Sequence, residues 1–239
     1  MPLLIKIHNN SDGTWHLEDD YESELVFQMI GDHSAQWQNV WFLVYPHYLG
    51  LLFREGSKYP MLRRLIVESK LHAADPPPIY PARALEDAGS LHQLQLMGVP
   101  WTALTLPWRS VEWYSSDEIS VWRSMDILRG GINLTRCTFS LISEPPQPII
   151  PLPPNANLQD LTLREQADGP SPLLVMDLLR NLTLPALERL ALIFENPGLR
   201  PPADVTEFLL FASRSSLRLK SLTLRLMPVS EIDLFSLPL

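Results

Sequence analysis

Leu187-Glu188-Arg189-Leu190-Ala191-Leu192 decides the fold: an apolar residue, two free positions, an apolar residue, one free position and a third apolar residue. The last two apolar side chains are two residues apart. On an extended strand they share one face, and Ala191 between them points the other way. The pattern recurs after this stretch as Leu219/Leu222/Leu224. Before it come Leu158/Leu161/Leu163, Leu134/Cys137/Phe139, Trp108/Val111/Trp113, Leu91/Leu94/Leu96, Leu62/Leu65/Val67 and Trp37/Val40/Phe42. From Val40 to Leu222 the middle positions are separated by 25, 29, 17, 26, 24, 29 and 32 residues. A core of L-x-x-L-x-L every roughly 20 to 29 residues is the period of leucine-rich repeats.

The period predicts an α/β solenoid. Each unit supplies one strand, the strands stack in parallel, and the apolar rows are buried because no unit can cover its own. The side chains between the apolar pairs then line a concave surface, with irregular helices and loops on the convex side. Ile5–Ile7 reads as a strand leading the array, 35 residues before Val40. Ser23–Ile30 has apolar residues at helical spacing behind Glu22 and Glu24. A second helix is expected to open at Asp117 and Glu118, bury Ile119, Trp122, Ile127 and Leu128, and stop at Gly130-Gly131. Leu173–Leu182 and Ala203–Ala212 read as two more, and the 17-residue unit between Leu94 and Val111 leaves no room for one.

Proline is enriched, with 23 in 239 residues against a usual share of roughly 5%. The prolines gather at Pro76–Pro78, between Glu144 and Pro154, and around Pro197–Pro202. Because the repeat continues on both sides of each cluster, they read as loops within a single domain over residues 1–239.

Composition narrows the function classes. The net charge of −8 argues against broad phosphate binding, so nucleic acid is not an expected partner. One cysteine, Cys137, permits no intrachain disulfide, as is usual in a reducing compartment, cytoplasm or nucleus. The most apolar stretch, Val40–Phe53, is broken by Tyr45-Pro46-His47-Tyr48 and falls short of the roughly 20 apolar residues a membrane span needs. The six histidines show no zinc spacing, and there is no nucleophile elbow or phosphate-binding glycine loop, so no cofactor, metal or catalytic residue is assigned. Asp19-Asp20 read as a solvated acidic loop rather than a calcium site, and Cys137 as a buried strand residue rather than a nucleophile.

The candidate site is therefore the row of outward strand positions. These are Arg64, Ile66, Gln93, Gln95, Glu112, Tyr114, Arg136, Thr138, Asp160, Thr162, Arg164, Arg189, Ser221, Thr223 and Arg225. Arginine and tyrosine among polar neighbours suit protein binding. Trp37, Trp108 and Trp113 fall on inward positions and are expected in the core; Trp41 falls outward and is the tryptophan best placed to touch a partner.

Several segments carry a resemblance to a known family. They are Leu184-Pro185-Ala186-Leu187-Glu188-Arg189-Leu190-Ala191-Leu192, the run FLLFASRSSLRLKSLTL from Phe208 to Leu224, and SELVFQMIGDHSAQWQNV from Ser23 to Val40. LRGGINLTRCTF, from Leu128 to Phe139, is similar to a family segment ILRRCPNLVECTF, with Gly131-Ile132 in place of its Cys-Pro. The chain resembles the repeat region of fungal, mushroom-type F-box proteins with leucine-rich repeats. That resemblance implies repeats that hold a protein substrate, and an N-terminal F-box that docks on a Skp-type adaptor of a cullin ubiquitin ligase. No F-box is found in this chain, so only the recognition half carries over; the adaptor is a partner only if an F-box lies outside it. The alternative is a stand-alone repeat scaffold, an inhibitor or assembly factor with no ubiquitin link. Either way the chain is not expected to be an enzyme.

Overall fold

The computed structural model describes residues 3–8, 20–44, 48–54, 56–69, 85–99, 105–143, 152–165, 174–194 and 206–225. Its elements are parallel strands interspersed with helices, an α/β arrangement, and they fall into two compact units, Met1–Val111 and Glu112–Leu239.

The first unit holds β1 (Leu3–His8), β2 (Trp37–Val44), β3 (Arg64–Ser69) and β4 (Gln93–Met97), each parallel to the next. Val40 pairs with Leu65 and Leu65 with Leu94; Phe42 pairs with Val67 and Val67 with Leu96. All six are at most 2% exposed, so the alternate apolar residues form two continuous buried rows. The leading strand also exists, with Ile5 opposite Val40 and Ile7 opposite Phe42. The helix expected over Ser23–Ile30 runs from Asp20 to Asp32 (α1), and a short one, Leu49–Leu52 (α2), follows β2. The core here is aromatic. Trp37 stands where later units have leucine, with its ring 5.3 Å from Phe42, 5.5 Å from Tyr59 and 6.0 Å from Phe53. The Tyr59 hydroxyl donates to the Leu52 carbonyl at 3.2 Å, so its polar end is satisfied inside that cluster. After β4 the chain turns at Gly98, whose φ is +62°; a Cβ there would lie 2.3 Å from the Ser69 carbonyl oxygen. Only glycine fits both the backbone angle and that approach.

The second unit holds β5 (Trp113–Ile119), β6 (Arg136–Leu141), β7 (Asp160–Glu165), β8 (Arg189–Phe194) and β9 (Ser221–Arg225), again all parallel in sequence order. Cys137, Leu161, Leu190 and Leu222 form one inner row, and Phe139, Leu163, Leu192 and Leu224 the other. In both units the strands begin in the same way. The carbonyl just before one strand accepts N–H groups from the start of the next: Arg63 from His92 and Gln93, Thr135 from Gln159 and Asp160, Gln159 from Glu188 and Arg189, Glu188 from Lys220 and Ser221. The fork fixes register before the ladder begins and satisfies each of these carbonyls.

Two expectations fail in β5. The structure pairs Tyr114, not Val111, with Cys137, and Ser116 with Phe139. The inward set is Val111/Tyr114/Ser116, three residues later than the apolar reading Trp108/Val111/Trp113. The pattern was matched by Trp113, which is an outward residue, because the true third position is a serine. With Tyr114 as the middle position, the two flanking spacings become 20 from Leu94 and 23 to Cys137, and the 17-residue outlier disappears. Trp108 and Trp113 are consequently half-buried rather than in the core.

The helix expected at Asp117 and Glu118 starts later, because both residues lie in β5, which passes a register irregularity between Ser116 and Ile119. Helix α3 spans Val121–Gly130, and the Ser120 carbonyl accepts both the Ser124 N–H and its hydroxyl. It buries Val121, Met125, Ile127 and Leu128, while Trp122 is half-buried beneath the Arg123 guanidinium, 4.9 Å from the ring centroid. Helix α4 (Leu174–Arg180) lies within the stretch read as helical, and α5 (Thr206–Ser215) overlaps the other but runs three residues past Ala212. The buried Glu165 carboxylate, an inward residue of β7, accepts the Val175 N–H at the start of α4. Arg214 of α5 donates to the carbonyls of Leu179, Arg180 and Leu182 at the other end of α4.

Candidate functional site

Alternation along the strands leaves one side chain between each buried pair, and parallel pairing in register lines these up across strands. In the first unit the outward rows are Asn39–Arg64–Gln93, Trp41–Ile66–Gln95 and Leu43–Glu68–Met97. Arg64 is exposed, whereas Trp41, Ile66 and Gln95 are half-buried. The Gln95 amide donates to the Met97 sulfur at 3.0 Å, which holds it along its own strand.

In the second unit the first outward row is Trp113–Arg136–Asp160–Arg189–Ser221. Asp160 sits between two arginines one strand away on either side. Arg136 Nε donates to Asp160 Oδ2 at 2.9 Å; Arg189 grips the same carboxylate twice, Nε to Oδ1 and Nη2 to Oδ2, the latter at 2.7 Å. Asp160 is 14% exposed at its side chain, while Arg136 and Arg189 are 58% and 50% exposed. Burial alone would raise the Asp160 pKa, but the hydrogen bonds from Arg189 and Arg136 outweigh it and hold the carboxyl below its ordinary value. The same contact with Asp160 raises that of Arg189. The clamp is thus ionised at neutral pH and carries one net positive charge.

The next row is Ser115–Thr138–Thr162–Ala191–Thr223, all small. Beyond it Arg164 and Arg225 stand on either side of Ile193. Together the first two rows line a concavity of about 370 Å³ that includes Arg136, Thr138, Asp160, Thr162, Arg189 and Thr223. The small row forms its floor and the clamp one wall.

The structure therefore brings Arg136, Asp160 and Arg189 into one cluster, with Arg164 and Arg225 on the far side of the threonines. It removes two expected site residues. Tyr114 is 1% exposed and points inward, and burial pushes its phenol pKa up. Glu112 precedes β5, and its carbonyl is the strand-start acceptor for Thr135 and Arg136. The three-residue shift explains both, and it puts Trp113 and Ser115 in their place. The signal available in the sequence was spacing: an inward Tyr114 makes the repeat more regular than an inward Val111.

Cys137 is fully buried, and burial pushes its thiol pKa far up, which suppresses the thiolate any nucleophile needs. Among the described residues no group of three or more His, Cys, Asp or Glu side chains could hold a metal ion. None of their helices is long and apolar enough to cross a membrane. Trp15, Trp101, Asp19 and the apolar end from Met227 to Leu239 lie outside the described residues. No family model matches the chain, and neither the curated proteins nor the solved structures compared with it give a match.

Proposed function

We propose that this chain is a leucine-rich-repeat solenoid that binds another protein on its outward strand face and catalyses no reaction. The observation that carries this reading is the second unit's concavity, where a charged clamp borders small side chains held in register across β6–β9. Such a surface is ordered before a partner arrives, which lowers the cost of binding. Exposed arginine is among the residue types enriched at protein interfaces. The repeat period, with its 20- and 23-residue spacings around Tyr114, supports the leucine-rich-repeat assignment.

On the family resemblance, the role we assign is substrate recognition for a cullin-type ubiquitin ligase, in the cytoplasm or nucleus. The stand-alone scaffold, with no link to ubiquitin, is the second reading. Thr162→Trp tests the shared part: bulk on the floor should abolish capture of a protein partner while leaving the circular dichroism spectrum unchanged. Capture that survives it places the binding surface elsewhere. The ubiquitin role requires an in-frame F-box in a longer chain and co-purification of a Skp-type adaptor with that chain. If no adaptor co-purifies, the stand-alone reading holds.

A further inference from the structure

The outward face of β6–β9 has the opposite charge to the protein that carries it. The chain has 27 acidic residues against 19 basic ones. On this face Arg136, Arg164, Arg189 and Arg225 meet one carboxylate, Asp160, which two of them already hold. The two pairs differ in what they have left to offer. Arg136 and Arg189 are oriented by Asp160, which engages Nε of Arg136 and Nε and Nη2 of Arg189. Among the described residues, both terminal nitrogens of Arg136 and Nη1 of Arg189 make no other hydrogen bond and remain for a ligand. Arg164 and Arg225 flank the apolar Ile193, are exposed, and form no ion pair among the described residues.

Strand geometry sets the spacing. Arginines two strands apart are roughly 10 Å apart, and rows four residues apart along a strand are separated by roughly 13 Å. Between the rows lie Thr138, Thr162, Ala191 and Thr223. The result is a strip of small, mostly hydroxylic side chains about one extended chain wide, with guanidinium groups on both sides of it. Guanidinium forks match carboxylates in a planar, two-bond geometry.

The geometry points to an extended acidic polypeptide segment as the ligand of this strip, its Asp and Glu carboxylates held by Arg164 and Arg225 on one side and by the free edges of Arg136 and Arg189 on the other. The inference rests on the scaffold reading and narrows its partner. Charge complementarity is the reason for choosing an acidic partner. A polypeptide is favoured over nucleic acid because the outward positions of β6–β9 offer no aromatic ring on which a base could stack.

Fluorescence anisotropy of the full chain tests it with three probes: a labelled peptide of about twelve residues alternating Glu and Ser, its Gln counterpart, and a short oligouridine. The Glu peptide should bind at least ~10-fold more tightly than the Gln peptide at low salt and lose that margin as salt rises. Arg164→Glu/Arg225→Glu, at exposed positions, should fold normally and abolish the preference. Equal binding of both peptides, an unchanged preference in the double variant, or tighter binding of oligouridine overturns the acidic assignment. If the Gln peptide binds equally well and Thr162→Trp displaces it, the scaffold reading survives that failure. If Thr162→Trp affects neither peptide nor a captured partner, both fall.

Discussion

The outward faces of the two units share strand geometry and little else. In Met1–Val111 the second outward row is Trp41–Ile66–Gln95, large and mostly apolar; in Glu112–Leu239 the equivalent row is Ser115–Thr138–Thr162–Ala191–Thr223, small and mostly hydroxylic. The inner faces differ too. The first unit gathers Trp37, Phe42, Phe53 and Tyr59 into one aromatic cluster, whereas the second spreads Tyr114, Phe139 and Phe194 among leucines and Cys137. Inward positions need only be apolar and fill space, so aromatic and aliphatic solutions both work. Outward positions are free of that demand, and their divergence reports what each surface can meet.

Core substitutions should separate the units most sharply. Trp37→Ala removes a fully buried ring from the aromatic cluster and should cost ~3–5 kcal/mol, whereas Cys137→Ala removes one small sulfur and should cost about 1 kcal/mol. Urea denaturation gives the magnitudes, and hydrogen exchange should localise the Trp37→Ala loss to Met1–Val111. Similar costs at both positions would contradict the contrast.

Next in size is Gly98→Ala, which sets a Cβ against the Ser69 carbonyl on a left-handed backbone and should cost about 2 kcal/mol. Its counterpart in the second unit is Arg214→Ala. Losing the hydrogen bonds to the carbonyls of Leu179, Arg180 and Leu182 should cost ~1–2 kcal/mol and speed amide exchange in α4 and α5.

The smallest effect is electrostatic and belongs to the second unit alone. Asp160 has its pKa lowered in the folded protein, so its contribution is present above the unfolded value near pH 4 and lost as pH falls through the folded one. The stability margin of the wild type over Asp160→Asn should therefore shrink in acid, as read from denaturation midpoints between neutral pH and about pH 2. A margin independent of pH would mean the clamp contributes nothing, as many exposed ion pairs do.

Much of the fold was legible because burial writes period-two pairs into every strand. Leu190/Leu192 and Leu161/Leu163 read correctly from residue type alone, and their registers follow. Reading failed where an inward position is polar: Ser116 hid the true set in β5, and Trp113 offered a false one. The same gap displaced the start of α3, since Asp117 and Glu118 look like a helix N-terminus but belong to a strand that runs on past an irregularity. The candidate site was legible as single residues, not as an arrangement. Arg136, Asp160 and Arg189 lie 24 and 29 residues apart, and only in-register pairing places the carboxylate between the two guanidiniums.

Site-directed labelling tests most directly whether the outward face of β6–β9 receives the partner. Single cysteines replace Thr138, Thr162 and Ala191 in turn, and reaction with a maleimide is followed with and without the captured protein. The expected result is rapid labelling of all three in the free chain and protection of all three in the complex, with the buried Cys137 inert throughout. Labelling rates unchanged by a bound partner would show that it sits somewhere else.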